Sequence, residues 1–175
     1  MTPAVAGALI ALLTVIIVQR VTELLLSARN ARRVIARGGR EMAAAHFPLL
    51  VLVHTLFPVG IAAEVLGLGA RPGTLWPLWT GLWLGAQILR YAAIRALGDR
   101  WNVRVLVLPG APLVRTGPYR YLRHPNYIAV AIELATAPLI LGAWRTALVI
   151  SIFNVFALRT RIRAEEAALR AAAQS

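Results

Sequence analysis

Apolar runs long enough to cross a bilayer dominate this chain of 175 residues. The first run covers about residues 3–26, and at about 1.5 Å per residue it exceeds the roughly 30 Å of a hydrocarbon core. Two more runs cover about residues 47–68 and 75–97. The last block is broken at Gly142 and is interpreted as a hairpin, at about residues 125–141 and 145–160. The sequence therefore predicts one all-α integral membrane domain, residues 1–175, with five transmembrane helices.

Composition agrees with this class of protein. Hydrophobic residues make up 59% of the chain, charged residues only 15%, and mean hydropathy is +0.68, which is outside the range of soluble globular domains. No basic residue precedes the first apolar run and no clean cleavage site follows it, so it is interpreted as a retained helix and not a signal peptide. With no cysteine, the chain has no thiolate nucleophile and no cysteine-ligated metal.

Arginine placement predicts the orientation. All 19 basic residues are arginines, and fifteen of them flank the same ends of the predicted helices, whereas only Arg71 and Arg145 lie in the opposite turns. Because positive loops stay in the cytoplasm, we expect an outward amino terminus and a cytoplasmic carboxyl terminus, as in a bacterial inner-membrane protein. The net charge of +12 then indicates contact with anionic membrane lipids and argues against nucleic-acid binding.

Several polar residues fall within the predicted spans. An ionisable group there costs a few kcal/mol unless it is paired, so such groups should face the bundle interior. Arg20 and Glu23 are three residues apart and can pair on one helix face, and Arg90 can meet Glu133 between helices. His46 and His54 have no partner motif and are interpreted as interfacial or packing residues, so no metal site is predicted.

The longest polar segment lies between the third and fourth helices. Its centre, residues 117–127, contains tyrosines, arginines and His124, and the predicted hairpin returns Glu165 and Glu166 to the same side of the membrane. Such a cluster is compatible with snorkelling arginines and interfacial tyrosines. It is equally compatible with a ligand site, in which carboxylates bind cationic and hydroxyl groups.

Three sequence blocks occur in a fixed order: Leu97-Gly98 with Trp101, then Gly117 to Tyr127, then Arg163 with Glu165 and Glu166. This pattern resembles the isoprenylcysteine carboxyl methyltransferase and phospholipid methyltransferase group of integral-membrane enzymes. The resemblance covers the carboxyl-terminal half of the chain. It implies methyl transfer from S-adenosylmethionine, bound in a cytoplasmic pocket formed by the helix 3–4 loop, the helix 4–5 hairpin and the tail.

The resemblance also implies roles for individual residues. Tyr119, His124 and Tyr127 would line the cofactor pocket, with Arg120 and Arg123 holding that block or contacting the cofactor carboxylate. The tail would bind the ribose hydroxyls or the ammonium. The full set of expected cofactor residues is Leu113, Val114, Tyr119, Arg120, Arg123, His124, Tyr127, Arg163, Glu165 and Glu166.

The expected acceptor is lipophilic and enters from the bilayer, and no metal is required. It is either isoprenylcysteine-like or a long-chain alkylpyrone or alkylresorcinol, because the longer aromatic tail of many prenylcysteine methyltransferases is absent. The expected catalytic residues are His124, as a base for a phenol or as an orienting group, and Arg90 or Glu133 at the polar head of the acceptor. The alternative is a non-enzymatic membrane scaffold or a transporter subunit, which would place broken helices and paired charges near the bilayer midplane.

Overall fold

Five α-helices account for most of the chain in the computed structural model, which is 77% helical and describes residues 2–42 and 47–172. The predicted all-α class is therefore confirmed, while His46 lies outside the described residues. The helices are α1 (Pro3–Ala36), α2 (Phe47–Gly67), α3 (Trp76–Leu97), α4 (Pro125–Ile140) and α5 (Trp144–Ala172).

Two of these helices, α1 and α2, meet the length and apolarity expected of a membrane span. At about 1.5 Å per residue, the 16 residues of α4 cover only about 24 Å, less than the roughly 30 Å of a hydrocarbon core. This helix is closely packed, since α3 and α5 lie against it and much of its surface is buried.

Two predicted helix ends differ from the observed ones. α1 continues to Ala36, ten residues past its predicted end, and α5 continues to Ala172, so the predicted tail is helical. The reason is that each helix keeps a buried stripe after its apolar run has ended. On α1 this stripe includes Ser27, Asn30 and Val34.

A small antiparallel sheet was not predicted. β1 (Arg40–Glu41) pairs with β2 (Leu106–Val107), with Arg40 opposite Val107. The sheet joins the segment after α1 to the segment between α3 and α4. Val105 and Val107 pack there against Ala168 of α5, so all three parts of the chain meet at one end of the bundle, here named the loop end.

At the end of the bundle opposite the loop end, a buried carboxylate of α2 caps the start of α5. Glu64 of α2 is 3% exposed and accepts hydrogen bonds from the backbone N–H groups of Arg145 (3.1 Å) and Thr146 (2.7 Å). It thereby satisfies donors that the first turn of α5 cannot pair within the helix. Gly142, with φ of 75°, makes the corner between α4 and α5, and a Cβ there would overlap the backbone of Arg71. The corner confirms the predicted break at Gly142.

The core lies between all five helices. Ile16 of α1, Phe57 and Ile61 of α2 and Leu134 of α4 are each at most 1% exposed and belong to one cluster. Large apolar side chains on the outer faces of the same helices are exposed, as expected of surfaces that contact lipid. Helix ends that carry most of the arginines gather at the loop end.

Candidate active site

Polar side chains of α4 and α5 meet at the loop end. The hydroxyl of Tyr127, in the first turn of α4, donates a hydrogen bond to Glu165 of α5. The same oxygen accepts a bond of 3.0 Å from Nε of Arg161, one turn earlier on α5. A tyrosine hydroxyl can donate one proton and accept others, so Tyr127 is held from both sides.

His124 extends this cluster. Its Nε2 donates to Oε1 of Glu166 over 3.3 Å, and its ring stacks on the ring of Tyr127 with centroids 5.4 Å apart. Pro125 begins α4 directly after it, at a helix position where proline costs no hydrogen bond. The two carboxylates of the predicted pair thus have different partners, Glu165 with Tyr127 and Glu166 with His124.

Tyr119 approaches the cluster from the 3₁₀ turn Gly117–Arg120. Burial raises the pKa of its phenol well above the usual value, and the nearby Glu165 carboxylate raises that pKa further. The hydroxyl of Tyr119 can serve as a hydrogen-bond donor. The structure joins four of the predicted cofactor residues by direct contacts, His124, Tyr127, Glu165 and Glu166, and Tyr119 lies within electrostatic range of Glu165.

Four of the other five predicted cofactor residues are exposed. Leu113 is 64% exposed and Val114 is half-buried. Arg123 is exposed, and the guanidinium of Arg120 lies 5.7 Å from the ring centre of Tyr121. Arg163 lies on the exposed side of α5, two residues from Arg161 and therefore on nearly the opposite helix face.

Arg161 is the arginine that α5 turns inward, and it is not among the residues predicted for the site. It is 4% exposed, and besides Tyr127 it bonds the backbone carbonyl of Asn102 through Nη2 at 3.5 Å. The signal was its spacing: Asn154, Ala157, Arg161 and Ala168 are all buried and follow one another at helical intervals of three, four and seven.

The segment that follows α3 is fixed to α1 by polar side chains. Asn30 donates to the carbonyl of Trp101 (2.9 Å), and Ser27 accepts from the backbone N–H of Val103 (3.1 Å). At the surface, Asp99 accepts from Arg33 at 2.8 Å, a hydrogen bond that lowers the pKa of the Asp99 carboxyl. These bonds position Asn102, and through it Arg161, beside the Tyr127 cluster.

Deeper in the bundle, four charged side chains form one network, here named the ion network: Arg20 and Glu23 of α1, Arg90 of α3 and Glu133 of α4. Arg20 donates through Nη2 to both oxygens of Glu133 (2.7 and 2.6 Å) and through Nη1 to Glu23 (2.8 Å). Arg90 donates to Glu23 at 3.2 Å and also to Glu133. Both predicted pairs are confirmed. Two further ion pairs, Arg20 with Glu133 and Arg90 with Glu23, join them.

The ion network is electrically balanced and almost entirely buried. Arg90 is 1% and Glu133 0% exposed, and two guanidinium groups face two carboxylates. Such burial is tolerable only because every charge has opposite partners. Glu133 follows Tyr127 by six residues, so the network lies about 9 Å farther along α4 from the loop end.

Two surface cavities lie away from the Tyr127 cluster. The first, of about 350 Å³, lies between the loop ends of α1 and α3; the second, of about 290 Å³, lies along α1 beside Phe47. Neither is lined by Tyr119, His124, Tyr127 or Glu165. The chemistry of the side chains, more than the cavity size, marks the cluster as the candidate site.

Comparison with known proteins identifies the family. The model of the isoprenylcysteine carboxyl methyltransferase family matches residues 79–171, which include the Tyr127 cluster. The chain belongs to this family of membrane methyltransferases. The family assignment confirms the resemblance inferred from the sequence blocks, and it identifies the protein as an integral membrane protein.

Two relatives match most of the length of the chain. The chain is 39% identical to the uncharacterized protein YpbQ of Bacillus subtilis over 159 residues, covering 91% of this chain and 95% of that protein. It is 27% identical to an uncharacterized protein of Haemophilus influenzae, covering 86% and 88% respectively. No solved structure matches the chain significantly. Because each match covers at least 86% of the chain, both relatives also extend over residues that precede the part matched by the family model.

Proposed function

We propose that this protein transfers a methyl group from S-adenosylmethionine to an oxygen of a lipophilic acceptor. The observation that carries the proposal is the Tyr127 cluster, in which residues from the family's sequence blocks meet at one end of the bundle. The family consists of membrane methyltransferases. The cofactor, the attacked atom and the acceptor class are inferences from the chemistry of the site.

The cofactor would bind at the loop end. The carboxylates of Glu165 and Glu166 are suited to the ammonium and ribose hydroxyl groups of S-adenosylmethionine, while Tyr119 and His124 offer hydrogen bonds and ring surfaces. Tyr127 bonds one oxygen of Glu165, and the other oxygen stays available to a cofactor group because a carboxylate accepts several hydrogen bonds. Backbone groups of Leu113 and Val114 for the adenine, and the side chains of Arg120, Arg123 and Arg163 for the carboxylate, complete the proposed set.

The reaction makes modest demands on the protein. A lone pair of the acceptor oxygen forms the new bond to the methyl carbon as the carbon–sulfur bond breaks, and the sulfonium becomes a neutral thioether. Alignment of two bound reactants can supply roughly 7–11 kcal/mol of the barrier. A carboxylate acceptor needs no base. For a phenol, His124 is the proposed base at the cofactor side, or the group that orients the cofactor.

On the membrane side, Arg90 and Glu133 are proposed to act at the polar head of the acceptor. They are closed off in this structure, so an acceptor that touches either must first separate α1 from α3 and α4. The acceptor is proposed to be isoprenylcysteine-like or a long-chain alkylpyrone or alkylresorcinol, and to enter from the bilayer. The protein would lie in a bacterial inner membrane, with its loop end in the cytoplasm in contact with anionic lipid.

Transport is the second candidate function, because the ion network has the paired, buried charges that a transporter would carry near the midplane. The helices argue against it. α1, α3 and α4 run without a break through Arg20, Arg90 and Glu133, whereas transporter sites typically use interrupted helices. Membership in a methyltransferase family favours the enzyme.

Calorimetry tests the cofactor site. Detergent-solubilised protein should bind S-adenosylhomocysteine, the demethylated cofactor, and Glu165→Gln should weaken binding by about tenfold or more, as expected when a charged hydrogen-bond partner is lost. Glu41→Gln is the matched control, because the recorded side-chain partner of Glu41 is Arg104, at the surface, and not a residue of the Tyr127 cluster. Absence of heat with the unaltered protein would refute the enzyme proposal.

A further inference from the structure

The first surface cavity, of about 350 Å³, contains none of the residues proposed for methyl transfer. Its volume lies within the range of small-molecule sites, which begins at about 300 Å³. It is named here the arginine cavity, and the residues that define it are Val34 and Arg37 of α1, Leu97 of α3, and Asp99, Arg100 and Pro112 of the segment that follows. An apolar lining therefore adjoins charged side chains from two parts of the chain.

The charged groups at this cavity are mostly positive. Arg37 and Arg100 line it, and Asp99 is the acid among the lining residues. Asp99 is already paired, because its carboxylate accepts a bond of 2.8 Å from Arg33 and one of 3.4 Å from Arg37. Arg29 also lies within electrostatic range of Asp99. Four guanidinium groups thus belong to this part of the loop end, against one carboxylate.

The helix ends reduce this surplus without removing it. α1 and α3 both end beside the cavity, and the carboxyl end of a helix carries about half a negative charge. Together with Asp99, the two helix ends offset about two of the four positive charges. A surplus of about two positive charges remains. A phosphate monoester, which carries about −1.5 to −2 charges at neutral pH, balances this surplus.

Both lining arginines have hydrogen-bond donors left for such a ligand. Nη2 of Arg37 bonds Asp99, and Nη1 of Arg100 bonds the backbone carbonyl of Pro112, which fixes this guanidinium beside the cavity. The other N–H groups of the two side chains bond no described residue. A guanidinium presents its donors in a planar fork that matches the oxygens of a phosphate.

The level of the cavity in the membrane suits a lipid headgroup. Leu97 is the last residue of α3 and of the predicted third span, so the cavity begins where that helix leaves the hydrocarbon. Phospholipids present their phosphates at this level. Basic pockets between membrane helices on the cytoplasmic side are suited to anionic headgroups.

We propose that the arginine cavity is a binding site for a phosphate monoester group, with Arg37 and Arg100 as its direct ligands. The source is the headgroup of an anionic phospholipid such as phosphatidic acid, or free phosphate, which has the same chemistry. Because one ligand belongs to α1 and the other follows α3, binding joins these two parts of the chain. The site is independent of the proposed methyl transfer, since no residue of the Tyr127 cluster lines it.

Native mass spectrometry of protein in a nonionic detergent tests the proposal by counting bound ligands. The protein is titrated with dioctanoyl phosphatidic acid, with dioctanoylglycerol, which has the same chains and no phosphate, and with inorganic phosphate. One phosphatidic acid should bind saturably, about tenfold or more tightly than dioctanoylglycerol, as expected of hydrogen bonds to charged groups. Inorganic phosphate that binds as tightly identifies free phosphate as the source, and weaker binding identifies the lipid; both support the site.

Matched variants separate a built site from general surface charge. Arg37→Gln and Arg100→Gln each remove one lining guanidinium and should weaken binding of phosphatidic acid by about tenfold or more. Arg32→Gln is the control, because it removes the same charge from an exposed position of α1 that does not line the cavity, and it should change binding less than about threefold. Ala111→Phe keeps every charge but enlarges a lining side chain, so it should weaken binding too.

Two results would overturn the site. One is an equal loss of binding in Arg32→Gln and Arg37→Gln, which would mean that binding follows total charge. The other is equal affinity of the unaltered protein for phosphatidic acid and dioctanoylglycerol. Should Arg100→Gln not fold, Arg37→Gln decides, since Asp99 keeps its bond to Arg33 there. Arg37→Gln should also bind S-adenosylhomocysteine as the unaltered protein does, so the result does not depend on the proposed cofactor site.

Discussion

The ion network should make Glu133 one of the most sensitive positions for stability. Glu133→Gln removes the carboxylate that accepts two bonds from Arg20, at 2.7 and 2.6 Å, and that also pairs with Arg90. Two buried guanidinium groups then share the single charge of Glu23. Breaking a buried ion pair costs about 3–5 kcal/mol because one charge stays uncompensated. At 1.4 kcal/mol per factor of ten, this lowers the folding equilibrium constant by about two to three and a half orders of magnitude.

Unfolding titrations in mixed micelles measure this difference. Glu41→Gln is the matched control, because Glu41 pairs with Arg104 at 3.0 Å on the surface and should cost at most about 1 kcal/mol. Arg90→Gln combined with Glu133→Gln restores neutrality and should be more stable than Glu133→Gln alone. If Glu133→Gln lowers the free energy of unfolding no more than Glu41→Gln does, the four charges do not stabilise one another.

Three further predictions concern the ends of the bundle. Tyr127→Phe loses its bonds to Glu165 and Arg161 and should cost about 1–3 kcal/mol of unfolding free energy in the same titrations, with weaker S-adenosylhomocysteine binding in calorimetry. Glu64→Gln weakens the cap on α5 and should cost about 1–2 kcal/mol, measured as a lower Tm; an unchanged Tm would contradict the cap. Arg33 lowers the pKa of Asp99, so the stability that this carboxylate adds is present above its unfolded pKa of about 4 and is lost as pH falls through the lower folded value. Asp99→Asn should therefore reduce the difference in Tm between pH 6 and pH 3, and an unchanged difference would exclude this contribution.

The helices and their order could be predicted from the sequence because apolar length is a direct consequence of bilayer thickness. The helix ends could not be predicted in this way, because hydropathy marks where a helix leaves the hydrocarbon and not the residue at which the helix ends. Ser27 and Asn30 continue the buried stripe of α1 by bonding the segment after α3, a contact that has no apolar signature. The same is true of α5, whose inward face continues through Arg161.

The candidate site was predictable in part. Pairing of Arg20 with Glu23 follows from helical spacing, and pairing of Arg90 with Glu133 follows from the cost of unpaired charge in lipid. The bond from Arg20 to Glu133 depends on how α1 is rotated against α4, which spacing within one helix cannot specify. Likewise, the choice of Arg161 over Arg163 as the inward arginine depends on which face α5 turns to α4.

Methyl transfer itself is the most direct test of the proposed function. Purified protein in lipid nanodiscs is incubated with S-adenosylmethionine carrying a tritiated methyl group and with pentadecylresorcinol, an alkylpyrone or a prenylcysteine. We predict that label enters the organic phase with an acidic acceptor, and that Glu165→Gln removes this activity while Glu41→Gln retains it. No labelled product from any acceptor, in protein that binds S-adenosylhomocysteine, would contradict the assignment of oxygen methylation.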